Sequence, residues 1–101
     1  MQTALKQERK VDATTKLILL PGILNIGQAT DNDIKINEPG ISQYHARVVT
    51  YFRESFVIDL GSESGILLNG ERVMKHSIKP GDVITLGNHH FILKAPDDWF
   101  Y

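Results

Sequence analysis

The chain contains no cysteine, which excludes a disulfide framework and thiolate chemistry. It also has no excess of charge of either sign, because 11 basic residues stand against 12 acidic ones. The formal net charge of -1 gives no global field that would attract nucleic acid or anionic lipid. No apolar run approaches the roughly 18 residues that a membrane helix needs. We therefore expect neither nucleic-acid binding nor direct membrane insertion.

The composition predicts one small domain with a single core, since 101 residues are 42% hydrophobic. Residues 1–15 are polar and unpatterned, which predicts a flexible N-terminal tail with a short helix over Ala4–Lys10 at most. Nothing in this tail has the pattern of a signal peptide, so we expect a cytoplasmic protein. Residues 16–95 should form the folded domain, followed by an aromatic C-terminal end over residues 96–101.

Short apolar segments separated by turn residues indicate an all-β fold. Asn69-Gly70 between strand-like flanks is a strong hairpin signal, because a type I′ turn needs two positive φ angles. Pro21-Gly22, Pro80-Gly81 and Gly87-Asn88 mark further turns. The pattern predicts a β-sandwich of two antiparallel sheets with many short strands, over Leu17–Leu20, Ile23–Gly27, Ile34–Asn37, His45–Tyr51, Ser55–Asp59, Leu67–Val73, Val83–Leu86 and His89–Lys94.

Several short motifs, in order and in register, resemble those of the forkhead-associated (FHA) domain family. The resemblance runs from about Lys16 to Lys94, and it implies a phosphothreonine-reading β-sandwich whose ligand is held by loops at one end. The motifs are Ile26-Gly27-Gln28, Asn32-Asp33-Ile34, Pro39-Gly40-Ile41-Ser42-Gln43-Tyr44-His45-Ala46, Asp59-Leu60-Gly61-Ser62-Glu63-Ser64-Gly65, Leu68-Asn69-Gly70 and Lys79-Pro80-Gly81-Asp82.

The chain departs from this family at three positions that concern the ligand. Gln28 and Gln43 stand where the family usually has Arg, and Ser64 stands where it usually has Asn. The resemblance therefore gives five candidate phosphopeptide-binding residues, of which Ser42 is retained: Gln28, Ser42, Gln43, Glu63 and Ser64. The three loops contain four carboxylates and no Lys or Arg. Since phosphate is normally held by cations, the sequence predicts a weakened or lost phosphothreonine site.

The remaining candidate site residues are predicted to support the loops rather than to touch ligand: Gly27, His45, Gly65, Asn69 and Gly70. The resemblance implies that His45 is a buried scaffold residue. Ser42 and His45 also suggest a nucleophile and base, but no orienting group accompanies them. His89 and His90 should point to opposite faces of a strand, so they cannot chelate one metal. We predict no enzyme activity, no cofactor and no metal site.

Three functions remain open, all of them with a protein or peptide partner. The first is a protein–protein interaction module of FHA type whose phosphothreonine site is weakened or lost. The second is a working phosphothreonine reader in signalling, which would take its cation from Lys35, Arg47 or Arg53. The third is a structural assembly domain of a membrane-associated or secretion complex. Trp99-Phe100-Tyr101 leaves self-association open, and phosphorylation of Thr14 or Thr15 in the tail would give the domain a ligand within its own chain.

Overall fold

Residues 14–97 are the part of the chain that the structure, a computed structural model, describes. They contain ten strands and no α-helix. The strands are β1 Thr14–Ile18, β2 Gly22–Gly27, β3 Ile34–Lys35, β4 Ala46–Tyr51, β5 Glu54–Asp59, β6 Ile66–Leu68, β7 Glu71–Val73, β8 Lys75–Ile78, β9 Val83–Leu86 and β10 His89–Lys94. No helix within this range is long or apolar enough to cross a membrane.

The strands form two five-stranded sheets, in the orders β1-β10-β9-β6-β7 and β3-β2-β4-β5-β8. This confirms the predicted all-β sandwich. The prediction that both sheets are antiparallel was wrong, because β1 pairs with β10 in parallel and β2 pairs with β3 in parallel. Hairpin signals specify the direction only of strands that a tight turn joins directly. Neither of the two parallel pairs is joined in that way.

Alternating side chains from both sheets fill the core between them. Along β4, for example, Ala46, Val48 and Thr50 are buried, whereas the residues between them are less so. This period of two is what a sheet with one covered face requires. The core cluster consists of Leu17, Leu19, Ile26, Ile36, Ile41, Ala46, Val48, Val57, Ile66, Leu68, Ile78, Ile84, Leu86, Phe91 and Leu93.

Two differences from the predicted strands are larger than a shift of one or two residues at a strand end. Strand β1 begins at Thr14, so Thr14 and Thr15 belong to the sheet rather than to the predicted tail. Strand β8 was not predicted, because only Ile78 of its four residues is buried and no alternation shows in the sequence. The helix predicted over Ala4–Lys10 and the aromatic end Trp99–Tyr101 lie outside the described residues.

The connections divide into two ends of the sandwich. One end carries three loops: the loop after β2, the loop before β4 and the loop before β6, which are residues 28–33, 36–45 and 60–65. We call it the loop end. The turns at Phe52-Arg53 and Asn69-Gly70 follow β4 and β6, so they lie at the opposite, hairpin end. The φ angles of Asn69 and Gly70 are 51° and 91°, which confirms the predicted turn with two positive φ angles.

Candidate functional site

A buried histidine joins two of the three loops of the loop end, residues 36–45 and residues 60–65. The His45 side chain is fully buried. Its Nδ1 accepts a hydrogen bond from the Ser42 N–H at 3.1 Å, so in the neutral ring the proton is on Nε2. Nε2 donates to the Gly65 carbonyl oxygen at 2.8 Å. The imidazole therefore fixes the spacing between the Ser42 loop and the Ser64 loop, which fits the scaffold role predicted for it.

Close backbone contacts hold residues 28–33 against residues 36–45. The Gln28 N–H donates to the Ser42 carbonyl at 3.0 Å, and the Ala29 N–H donates to the Gln43 carbonyl at 3.1 Å. The Asn32 amide also donates to the Gln43 carbonyl, at 2.8 Å. A Cβ at Gly27 would overlap the Gln43 carbonyl oxygen and lie 2.8 Å from Asn32 Nδ2. Gly27 therefore supports the loops by its lack of a side chain.

Three of the predicted ligand residues form side-chain hydrogen bonds with neighbouring loops. Ser42 Oγ accepts from the Glu63 N–H at 3.0 Å, and Ser64 Oγ donates to the Gly40 carbonyl at 2.7 Å. The Gln28 amide donates to the Glu38 carbonyl at 2.9 Å. These contacts bring Ser42 and Ser64 together at the loop end. They also leave each side chain with fewer groups to offer a ligand.

The other two predicted ligand residues, Gln43 and Glu63, have exposed side chains on the same loops. Residues 60–65 are braced from within, because the Ser62 N–H donates to Asp59 Oδ1 at 2.8 Å. Ser62 Oγ in turn accepts from the Gly65 N–H at 2.9 Å. The loop that carries Glu63 and Ser64 is therefore held in one conformation before any ligand arrives.

Three of the four loop carboxylates have partners, which the charge count from the sequence did not include. Asp31 accepts from the Tyr44 hydroxyl at 3.0 Å, and this hydrogen bond together with the carboxylate's charge raises the pKa of Tyr44. Asp33 accepts from the Asn25 N–H at 2.8 Å. Glu38 Oε2 accepts from His89 Nδ1 at 3.2 Å, a contact that becomes an ion pair when the imidazole is protonated. Asp31 and Asp33 keep their negative charge in these contacts, because their donors are neutral, and only the Glu38 contact can offset a charge.

Of the cations proposed from the sequence as substitutes, Arg53 is far from the loop end and Arg47 is engaged elsewhere, whereas Lys35 pairs with Gly27 beside the loop end. Arg53 lies at the hairpin end, beyond the far terminus of β4. The Arg47 guanidinium donates from Nε to Asn25 Oδ1 at 2.8 Å, so it is bound between β4 and β2. Lys35 is exposed on β3, and its side chain has no ion pair with another described residue.

The structure brings to the loop end a cation that the sequence analysis did not consider, Arg72. A Cβ at Gly65 would lie 2.7 Å from Arg72 Cζ, 2.8 Å from Nε and 2.9 Å from Nη2. The guanidinium therefore lies directly over the Gly65 backbone, next to Ser64. Six residues separate Gly65 from Arg72, and only the hairpin between β6 and β7 brings them together. Its Asn-Gly turn is the one sequence signal that could have indicated this contact.

Asn69 and Gly70 support a different part of the molecule from the one predicted. The turn that they form is at the hairpin end. The Asn69 side chain donates to Asp82 Oδ1 at 3.0 Å and accepts from the Val83 N–H at 2.9 Å. It therefore fixes the turn over Lys79–Asp82, whereas Gly27, His45 and Gly65 act at the loop end.

The geometry of Ser42 and His45 does not form a nucleophile and base. His45 Nδ1 contacts the Ser42 backbone N–H, not the hydroxyl, and Nε2 is engaged by Gly65. A base must be within hydrogen-bond reach of the hydroxyl that it activates. Among the described residues, no three His, Cys, Asp or Glu side chains are grouped to hold a metal ion.

A sequence profile of the FHA domain family matches residues 24–87. The ABC transporter ATP-binding/permease protein Rv1747 of Mycobacterium tuberculosis is 41% identical over 70 residues, which are 69% of this chain and 8% of the transporter. The glycogen accumulation regulator GarA of the same organism is 27% identical over 85 residues, which are 84% of this chain and 52% of GarA. The chain thus spans about half of GarA and a small part of the transporter.

Solved structures give the same result. The FHA-2 domain of Rv1747 from M. tuberculosis superposes with a TM-score of 0.60 at 41% identity, over 69% of this chain and 65% of that domain. M. tuberculosis EmbR, solved in complex with a low-affinity phosphopeptide, superposes with a TM-score of 0.69 at 28% identity, over 74% of this chain and 21% of EmbR. Since the family profile covers well over half of the sequence and the strands form the matching sandwich, the chain belongs to the FHA domain family.

Proposed function

We propose that this FHA domain is a non-enzymatic protein–protein interaction module with a weakened phosphothreonine site. The observation that carries the proposal is that the side chains of Gln28, Ser42 and Ser64 are already hydrogen-bonded. Each side chain at these positions makes a hydrogen bond to another loop of its own domain. The loops themselves contain no Lys or Arg. Such a surface is polar and carries the negative charge of its carboxylates, so it is suited to a peptide main chain better than to a dianion.

The expected loss of phosphate affinity follows from the energy of a charged contact. A hydrogen bond to a charged group contributes roughly 1.5–3 kcal/mol. Replacing one Arg by the uncharged Gln28 therefore weakens phosphopeptide binding by about ten- to a hundred-fold. Ser64 adds to the effect, because its hydroxyl is shorter than the Asn amide and already donates to the Gly40 carbonyl.

A working phosphothreonine reader is the second candidate, and the Ser42 hydroxyl favours it. Its oxygen accepts from the Glu63 N–H, so its own proton is still available to a phosphate oxygen. The similarity to EmbR, which was solved with a low-affinity phosphopeptide, is consistent with residual binding of this kind. On this alternative the domain takes part in phosphorylation-dependent signalling.

Titration with a degenerate phosphothreonine peptide library, alongside the same library with unphosphorylated threonine, tests the proposal. Comparable affinity for the two libraries, or binding of a protein partner without phosphate, supports it. Tight binding that requires the phosphate would overturn it in favour of the second candidate. Sedimentation at several concentrations identifies self-association, the result that an assembly domain would give.

A further inference from the structure

The β6–β7 hairpin brings the Arg72 guanidinium to the edge of the loop end. Arg72 is paired with Leu67 across the two strands. Its side chain reaches back past this pair to Gly65, the residue that precedes β6. Gly65 has φ of 82°, in the left-handed region, and any side chain there would occupy the space of the guanidinium. The loop backbone and the arginine thus fit each other closely.

The charge of Arg72 is not neutralised by the rest of the described domain. Arg72 is exposed. Neither Glu63 in the adjacent loop nor Glu71 beside it in β7 forms an ion pair with it, since residues 14–97 contain only the pairs Lys79–Asp82 and His89–Glu38. The guanidinium N–H groups of Arg72 donate no hydrogen bond to another residue within residues 14–97 either. A guanidinium has five donors in a planar fork that matches a carboxylate or a phosphate.

We propose that Arg72, whose guanidinium lies over Gly65 beside Ser64 in the sequence, forms an anion-binding subsite for a bound peptide, separate from the position of Gln28. This inference rests on the proposed function, because it assigns a ligand class to the same end of the domain. The subsite selects a peptide that carries an anionic side chain, either the carboxylate of Asp or Glu or a phosphate. A domain without a cation in its loops thereby gains charge selectivity from a neighbouring strand.

The position relative to Ser64 distinguishes Arg72 from the other described arginines. The Arg72 guanidinium lies over Gly65, and the preceding residue, Ser64, contacts Gly40 across the loop end through its Oγ. Arg47 is engaged by Asn25, and Arg53 lies at the hairpin end. Arg53 therefore provides a matched control, since it is an exposed arginine at the opposite end of the same domain.

The test is an NMR titration of the isotope-labelled chain with three small probes. They are the N-acetyl methylamides of phosphothreonine, glutamate and glutamine, and the readouts are the Arg72 Nε–H and the backbone N–H groups of Ser64 and Gly65. We expect saturable shifts of these resonances with one or both anionic probes and none with glutamine. Arg72→Gln should weaken binding of the effective probe about tenfold, and Arg53→Gln should leave it unchanged.

The two anionic probes separate the possible sources of the charge. A response to phosphothreonine alone assigns the subsite to phosphate, and a response to glutamate, with or without phosphothreonine, shows that a carboxylate suffices. The absence of any saturable shift at Arg72, or equal shifts with the neutral probe, would overturn the subsite. A phosphothreonine response centred on Gln28 and Ser42 that survives Arg72→Gln would contradict the weakened phosphothreonine site instead.

Discussion

His45 Nε2 lies 2.8 Å from the carbonyl oxygen of Gly65, twenty residues further along the chain, and both residues are buried. The opposite ring nitrogen accepts from the Ser42 N–H. One side chain thus satisfies a backbone donor of one loop and a backbone acceptor of another. The Gly65 carbonyl contact is buried and the Ser42 N–H contact is partly buried, so loss of the imidazole would leave a buried acceptor without a partner.

Replacing His45 by Ala should lower the free energy of unfolding by roughly 1–3 kcal/mol, because packing is lost and the Gly65 carbonyl and the Ser42 N–H lose their partner. Denaturant unfolding of both proteins measures this difference, provided that the unfolding free energy depends on denaturant concentration with the same slope in both. His76→Ala provides the control, since His76 is exposed on β8. Equal stability of His45→Ala and the unmodified chain would contradict a scaffold role.

Gly27 should be intolerant of even one added methyl group, although its backbone does not have a positive φ. A Cβ there would overlap the Gln43 carbonyl and crowd Asn32. We expect Gly27→Ala to destabilise the fold by about 1–3 kcal/mol, the usual cost of overpacking. Gly61→Ala is the comparison, because a Cβ at Gly61 meets nothing within 4 Å and only the φ of 80° opposes it. Thermal unfolding that ranks Gly61→Ala as the more destabilising change would refute the steric explanation.

Asp82 should contribute to stability at neutral pH and lose this contribution in acid. Burial raises the pKa of its carboxyl, but hydrogen bonds from Asn69 and from the Lys79 N–H, with the Lys79 ammonium, outweigh burial and lower the pKa below its usual value. Because the folded pKa is depressed, the stabilisation is present above the unfolded pKa. It is lost as the pH falls through the folded pKa.

Asp82→Asn should therefore destabilise the chain at pH 7 by about 1–2 kcal/mol, and the difference should narrow below about pH 4. Urea unfolding at pH 7 and pH 3 measures both values. Asp97→Asn, at an exposed carboxylate, is the control. A difference that stays constant between the two pH values would show that the charge of Asp82 is not what stabilises the turn.

Restoring the residues that the family usually has at positions 28 and 64 should restore binding of phosphothreonine peptides. Gln28→Arg together with Ser64→Asn should strengthen phosphothreonine-peptide binding by roughly one to two orders of magnitude. Fluorescence polarisation with a labelled phosphopeptide measures the change, and its unphosphorylated form should gain nothing. Tyr51→Arg adds the same charge at the hairpin end and should have no effect. No gain in a folded double variant would mean that the two positions do not limit phosphate binding.

Local sequence signals predicted those strands and turns that are specified by their own residues. The Asn69-Gly70 turn was recognised because only residues that tolerate positive φ form it. The equivalent turn at Phe52-Arg53, with φ of 53° and 66°, contains neither Gly nor Asn and was placed only through its flanking strands. Strand β8 was missed for a related reason: with one buried residue it is ordered by pairing with β5, which leaves no pattern in its own sequence.

By itself, the sequence determined the fold class, the family resemblance and the absence of cations from the three loops, because each depends on residue type and short-range spacing. Only the tertiary structure decided where charge lies in space. It paired Asp31 with Tyr44, placed Arg53 at the far end, and set Arg72 over Gly65. Long side chains reach several ångströms beyond their own backbone, so the hairpin register and the loop packing, rather than proximity in sequence, select which cation lies beside the site.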